Sequence, residues 1–165
     1  MNSTDHDIKK FSDYQIRPAR PEDADLLAPN MREIDCREVR ALSGLTPKEA
    51  LDLSLERSAR AWTALTRGRV ILIWGVAPIG GLLGFVGAPW LLASEILERP
   101  EVAREFIRQS RPYARELEEG FNRLTNLVHA ENRLAVRWLK WLGFSFATEP
   151  TKFNGEDFFR FWKEV

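Results

Sequence analysis

His129 and Asn132 are the residues of this chain whose types and spacing first suggest chemistry. An imidazole just ahead of a helical stretch can take a proton from a nucleophile, and an amide three positions on can hold a ligand. Structural roles compete with both. A lone histidine at a helix start is otherwise a capping or packing residue, and the Asn132 amide can tie strand to helix unaided. Glu118-Glu119 could activate a nucleophile, but adjacent helical side chains point about 100° apart and read as a solvated face. The glycines from Gly80 to Gly87 invite a phosphate-loop reading. No lysine followed by serine or threonine comes after them, and they lead into a strand, so a glycine-shaped turn is the better account. With one cysteine, Cys36, and two histidines, His6 and His129, no spacing suits a metal and none is expected.

The elements that must position these residues follow from length and periodicity. At 165 residues the chain has the size of one domain. Residues 1–12 are polar and read as a flexible leader, which makes 13–165 a single domain and leaves His6 idle. Lysine plus arginine and aspartate plus glutamate each total 24, so no bulk basic surface exists for nucleic acid, and Lys9-Lys10 is too short a run to supply one. No apolar run approaches the ~20 residues of a membrane span.

A short strand at Tyr14 to Arg17 leads into a helix that Pro21 opens and that continues through Leu27, Met31 and Ile34. Thr46-Pro47-Lys48-Glu49 starts a second helix as a capping box. Alternation from Arg60 to Thr66, the turn Arg67-Gly68-Arg69 and the apolar run Val70 to Val76 predict a hairpin whose second strand is covered on both faces. A strand over Phe85 to Leu92 must bend around Pro89 in mid-sheet. A long helix from Pro100 to Glu119, kinked near Pro112, precedes a strand over Phe121 to Val128. A last helix over Ala130 to Leu142 turns Leu134, Trp138 and Trp141-Leu142 inward and stops at Gly143. Phe144 to Thr148 and Phe158 to Lys163 close the chain as an antiparallel pair about Asn154-Gly155. The class is α+β (mixed α/β).

The stretch Asn132-Arg133-Leu134-Ala135 through Gly143-Phe144 resembles the late helix of the GNAT acyltransferases, as does the order of the elements. The resemblance implies a central, mostly antiparallel sheet of six to seven strands flanked by about four helices. It further implies acetyl-CoA held through a loop of the form Gln/Arg-x-x-Gly-x-Gly/Ala, where bare amides and a helix dipole meet the pyrophosphate. Leu92 to Glu101 stands in that place, has no glycine and carries Glu95, Glu98 and Glu101. The general-acid tyrosine of many such enzymes, seven positions after the asparagine, is Leu139. A substitute acid could be Tyr113 and a base Glu131 or His129, though spacing brings none of them together; an atypical cofactor grip would use the helix start near Ser94, or Asn132.

Over about residues 14 to 164 the sequence is also similar to a phage-encoded, GNAT-like family of short-tailed phages that resembles the internal virion protein A of T7-like phages. Ala50-Leu51-x-Leu53-Ser54-Leu55, Gly75-Val76-Ala77-Pro78, Gly87-Ala88-Pro89-Trp90-Leu91-Leu92 and Trp138-Leu139-x-Trp141 carry that likeness. It implies a non-catalytic structural or assembly protein of the virion, without cofactor. Such a chain would be assembled in the host cytoplasm, contact portal or tail components, and pack as a homo-oligomer or ring. Trp90, Phe158, Phe159, Phe161 and Trp162 are the interface candidates, unless the aromatic C-terminal strand lies inside the sheet and is covered twice. The rival expectation is an N-acetyltransferase that uses acetyl-CoA through an atypical loop.

Overall fold

The protein is described by a computed structural model that covers residues 14–80 and 85–165. The expected leader with His6, and Gly81 and Gly84 of the glycine-rich turn, lie outside the described residues.

The chain opens with β1 (Tyr14–Pro18), α1 (Asp23–Leu27), α2 (Glu33–Ser43) and α3 (Pro47–Arg57). It continues through β2 (Arg60–Thr66), β3 (Arg69–Ile79), β4 (Val86–Ala93), α4 (Pro100–Glu118), β5 (Arg123–His129) and α5 (Arg133–Trp141). The end is β6 (Ser145–Phe146), β7 (Thr151–Phe153) and β8 (Glu156–Glu164). The strands form one sheet in the order β1-β2-β3-β4-β5-β8-β6, with β7 also on β8. Every pairing is antiparallel except β4 with β5. The class is the one expected, with eight strands and five α-helices described.

Three local departures have physical causes. The first expected helix is broken: α1 ends in a 3-10 turn over Ala28–Asn30, because Pro29 has no amide to extend an α-helix, and Met31 then bridges to Ser94 before α2 starts. The closing pair is a hairpin of β7 and β8 about Asn154 (φ 48°) and Gly155 (φ 83°), a two-residue turn of left-handed residues that matches strand twist, and β6 is cut to two residues beside it. Trp141 turns outward, 44% exposed with Arg111 stacked 5.7 Å from its ring, because Ala135, Trp138, Leu139 and Leu142 already form the buried stripe of α5.

Each face of the sheet has its own core. Against α1, α2 and α3 lie Leu27, Leu51, Ile73 and Leu92. Against α4 and α5 lie Trp74, Phe106, Leu124, Trp138 and Phe161. β3 separates the two and is buried from Val70 to Val76, as its unbroken apolar run requires.

The feature that makes a site is the junction of β4 and β5. The two strands pair only at Val86↔Arg123 and Gly87↔Leu124, then part. Gly87 permits the close approach, since a Cβ there would lie 2.8 Å from both Leu124 Cδ2 and Val76 Cγ2. Pro89, with no N–H for a ladder, follows at once, and so the mid-sheet distortion expected from it is the point where the strands diverge.

Candidate functional site

Parted strands leave main-chain groups without partners, and here nearly all are claimed from elsewhere. The Ala93 N–H donates to Asp35 Oδ2 (2.9 Å), and the Ala93 carbonyl accepts from the Arg32 N–H (2.8 Å). The Pro89 carbonyl accepts from Asn126 Nδ2 (3.0 Å). By the two-residue period of a strand, the N–H and carbonyl of Leu91 face the gap in the same way. The opening is thus a V closed at Gly87, bridged at Pro89, open at Leu91 and sealed at Ala93 by the start of α2.

Two hollows meet at this V. The first, about 230 Å³, lies between α2, α3 and the strands; Val39, Leu42, Leu53, Trp90 and Leu127 wall it, and Trp138 and Leu139 of α5 close its far end. Trp90 is fixed as a wall by its Nε1–H, which donates to Ser58 Oγ (2.8 Å). The second, about 540 Å³, is a groove between the starts of α4 and α5, lined by Pro100, Ala103 and Arg104 on one side and Glu131, Arg133 and Arg137 on the other. Asn132 lines both.

A buried polar network from α2 occupies the point where the hollows meet. Arg32 and Asp35, each almost fully buried, form a two-bond ion pair (2.9 and 2.8 Å). Asn132 caps α5 with its Oδ1, accepting from the Ala135 N–H (3.4 Å), and donates from Nδ2 to Glu38 Oε2 (3.2 Å) and Asp35 Oδ1 (3.4 Å). The His129 N–H also reaches Glu38 Oε2 (3.4 Å), which leaves Oε1 without a protein partner among the described residues. Loss of water, then the charge of Asp35, pushes the Glu38 carboxyl up to about 8. Burial raises Asp35 as well, against the pull of Arg32. Beyond the network, Arg37 and then His129 hold the Glu156 carboxyl down to about 2.

The residues singled out from sequence fall in different places. His129 is buried; its Nδ1 accepts from the Glu131 N–H (3.1 Å), so its proton sits on Nε2 and is donated to Glu156 Oε2 (2.7 Å). Both ring nitrogens are therefore occupied, Nε2 in joining β5 to β8 and Nδ1 in the turn that leads from β5 into α5. Glu131 is exposed on the rim of the groove and paired with Arg37 (2.7 Å). Tyr113 packs edge-on against Trp62 and Trp74 and lines neither hollow. Ser94 is buried and donates to the Ile71 carbonyl (3.0 Å). Of the aromatic set, Trp90 is a cavity wall, Phe158 and Phe161 are buried, and Phe159 packs on the core. Trp162 is half-buried, on a β8 flanked on both edges.

Sequence reading missed Arg32, Asp35 and Glu38, and it missed the groove arginines. One signal was present: Arg32, Asp35 and Glu38 recur every three residues and merge into the apolar positions Val39 and Leu42, so charge shares the inward side of a helix. Arg104, Arg133 and Arg137 carry no ion pair among the described residues and stand on two helices far apart in sequence.

No family model matches the sequence, and no curated protein matches it. Solved structures do. A GCN5-related N-acetyltransferase from Kribbella flavida is 21% identical with TM-score 0.67, over 94% of this chain and 100% of that one. A GNAT-family acetyltransferase from Streptococcus pneumoniae is 18% identical with TM-score 0.64, over 92% and 99%. A Bacillus subtilis acetyltransferase in complex with CoA is 14% identical with TM-score 0.59, over 92% and 99%.

These likenesses overturn the expectation of a non-catalytic virion component without cofactor: structures that share the fold over nearly their whole length are named as acetyltransferases, one of them holding CoA, and nothing points to a phage particle. Glu95 and Glu98 belong to a 3-10 turn, and although Glu98 lines the groove beside it, that groove also takes positive charge from Arg104 of α4 and from Arg133 and Arg137 of α5. The chain has the fold of the GNAT acetyltransferases.

Proposed function

We propose that the chain is an acetyl-CoA-dependent N-acetyltransferase in which Glu38 is the general base. The observation that carries this reading is that the gap between β4 and β5 opens, at Leu91, into a cavity lined by a carboxyl raised to about 8. The groove suits the phosphates of coenzyme A. Arg104, Arg133 and Arg137 have no ion pair among the described residues, and two helix N-termini lie at the same space, although Glu98 and Glu131 also line it. When bound, the coenzyme would supply an acetyl thioester and a thiolate leaving group.

An alkyl amine is cationic at neutral pH, with a pKa near that of lysine at about 10.4, and must lose a proton before it attacks. The Glu38 carboxylate accepts it on the unbonded Oε1, and a base titrating near the working pH suits that task. The Leu91 N–H faces the gap and donates to negative charge that develops on a carbonyl oxygen there. The acceptor nitrogen sheds a second proton as the amide forms; Leu139 has none to give, and that second proton would pass to the coenzyme thiolate, whose conjugate acid has a pKa of about 8.5. Asn132 and the His129 main chain hold Glu38 in place.

Release of coenzyme A, followed with a thiol reagent across a panel of amines, tests the reading. Acceptor-dependent release is expected, with a kcat/KM limb near pH 8. Glu38→Gln removes that limb and lowers the rate by at least about a hundredfold. No calorimetric heat with millimolar coenzyme A, together with no release, would overturn it.

A further inference from the structure

We infer that the acceptor is a primary amine carried on an uncharged, apolar body of arylalkyl size, and that amino acids and diamines are excluded. This rests on the acetyltransferase reading and adds to it the class of acceptor. The cavity on the α2–α3 side is about 230 Å³. A protein cavity of about 150 Å³ holds benzene, so this one has room for a phenyl group on a short alkyl chain.

The cavity's polar groups are nearly all spent inside the protein. Asn126 donates from Nδ2 to the Pro89 carbonyl (3.0 Å) and accepts at Oδ1 from the Leu127 N–H (2.8 Å). Asn132 gives its Nδ2 to the α2 carboxyls and its Oδ1 to the cap of α5. The Ser43 hydroxyl donates to the Val39 carbonyl (2.8 Å). Beside the Leu91 main chain at the gap, what remains for a ligand among the described residues is Glu38 and the Ser54 hydroxyl. Among the described residues no lysine, arginine or histidine lines the cavity, so the carboxylate of an amino acid would be desolvated beside Glu38 with no counter-charge. A diamine would bring two cations to one carboxyl. An apolar body instead meets the Trp90 ring, already fixed by Ser58, and Leu42, which is 38% exposed and stands at the mouth.

The test compares kcat/KM for 2-phenylethylamine, L-phenylalanine and 1,4-diaminobutane with acetyl-CoA, alongside calorimetry of each amine with the full chain. The expected result is a preference for 2-phenylethylamine of at least about a hundredfold over both, the scale of leaving a buried charge unpaired. Trp90→Ala raises its KM with kcat little changed. Leu42→Arg, at an exposed position that does not threaten folding, narrows the gap to L-phenylalanine by supplying the missing cation. Turnover of L-phenylalanine or the diamine at an equal or higher rate sinks the acceptor inference and leaves the acetyltransferase reading intact. Calorimetric binding of 2-phenylethylamine alone, with no amine acetylated, upholds the pocket and sinks the acetyltransferase. No binding and no turnover of 2-phenylethylamine overturns the inference whatever coenzyme A does.

Discussion

Glu38 keeps a proton near neutral pH because it lies where water does not reach it fully and Asp35 stands close by. The same arrangement sets a stability dependence whose sign can be worked out. A carboxyl at its ordinary 4.5 when unfolded and near 8 when folded binds more protons folded than unfolded between those values, so stability falls as pH rises through that window. Urea unfolding from pH 5 to 9 should show this decline, and Glu38→Gln should flatten most of it, with Asp35, raised in the same direction, leaving a residual slope. Glu156 acts at the other end: held down to about 2 by Arg37 and His129, it contributes stability above its unfolded value that is lost as pH falls through the folded one. Glu156→Gln should therefore soften acid unfolding below pH 4.5 and leave the alkaline side unchanged.

Two helix caps and one glycine show which elements serve the site and which only hold the fold. The Thr46 and Glu49 capping box starts α3 at an exposed position, and neither residue lines either hollow, so Thr46→Ala should cost about 1 kcal/mol in denaturant unfolding and leave kcat/KM unchanged. Asn132 caps α5 with one end of its amide and binds the α2 carboxyls with the other. Asn132→Ala should cost more, about 2 to 4 kcal/mol when the cap and the buried carboxyls left without a donor are counted together. Losing that donor also favours the protonated carboxyl, so the rate limb assigned to Glu38 should move to higher pH, a shift a merely structural residue would not cause. Gly87 is the hinge of the V. Gly87→Ala drives a methyl against Leu124 and Val76 at the one place where β4 and β5 pair, and a loss of about 1 to 3 kcal/mol is expected by calorimetric melting.

The whole molecule carries no net charge, so nothing draws an anionic cofactor from a distance. On the proposed reading, attraction comes from the arginines gathered in the groove and is local and screened by salt. Replacing Arg133 and Arg137 together with alanine should weaken coenzyme A binding by about tenfold or more, and the remaining affinity should depend less on salt, as read by calorimetry at two ionic strengths. Much of the fold was legible in the sequence because its signals are local. The box at Thr46, the helix stop at Gly143 (φ 87°), the doubly covered run of β3 and the disturbance at Pro89 each follow from a few neighbouring residues. The site was not legible in that way. Glu38, Leu91 and Asn132 belong to three elements, and the groove arginines to two; only the divergence of β4 from β5 brings them together. Nor could sequence assign His129, whose lone pair is taken by the Glu131 amide, or raise Glu38 to about 8, since both depend on what surrounds a side chain in space. Sequence by itself determined the elements and their order, through propensities and periods that act over a turn or a strand; tertiary structure decided which carboxyl could hold a proton, because desolvation and the charge of Asp35 act through packing and not along the chain.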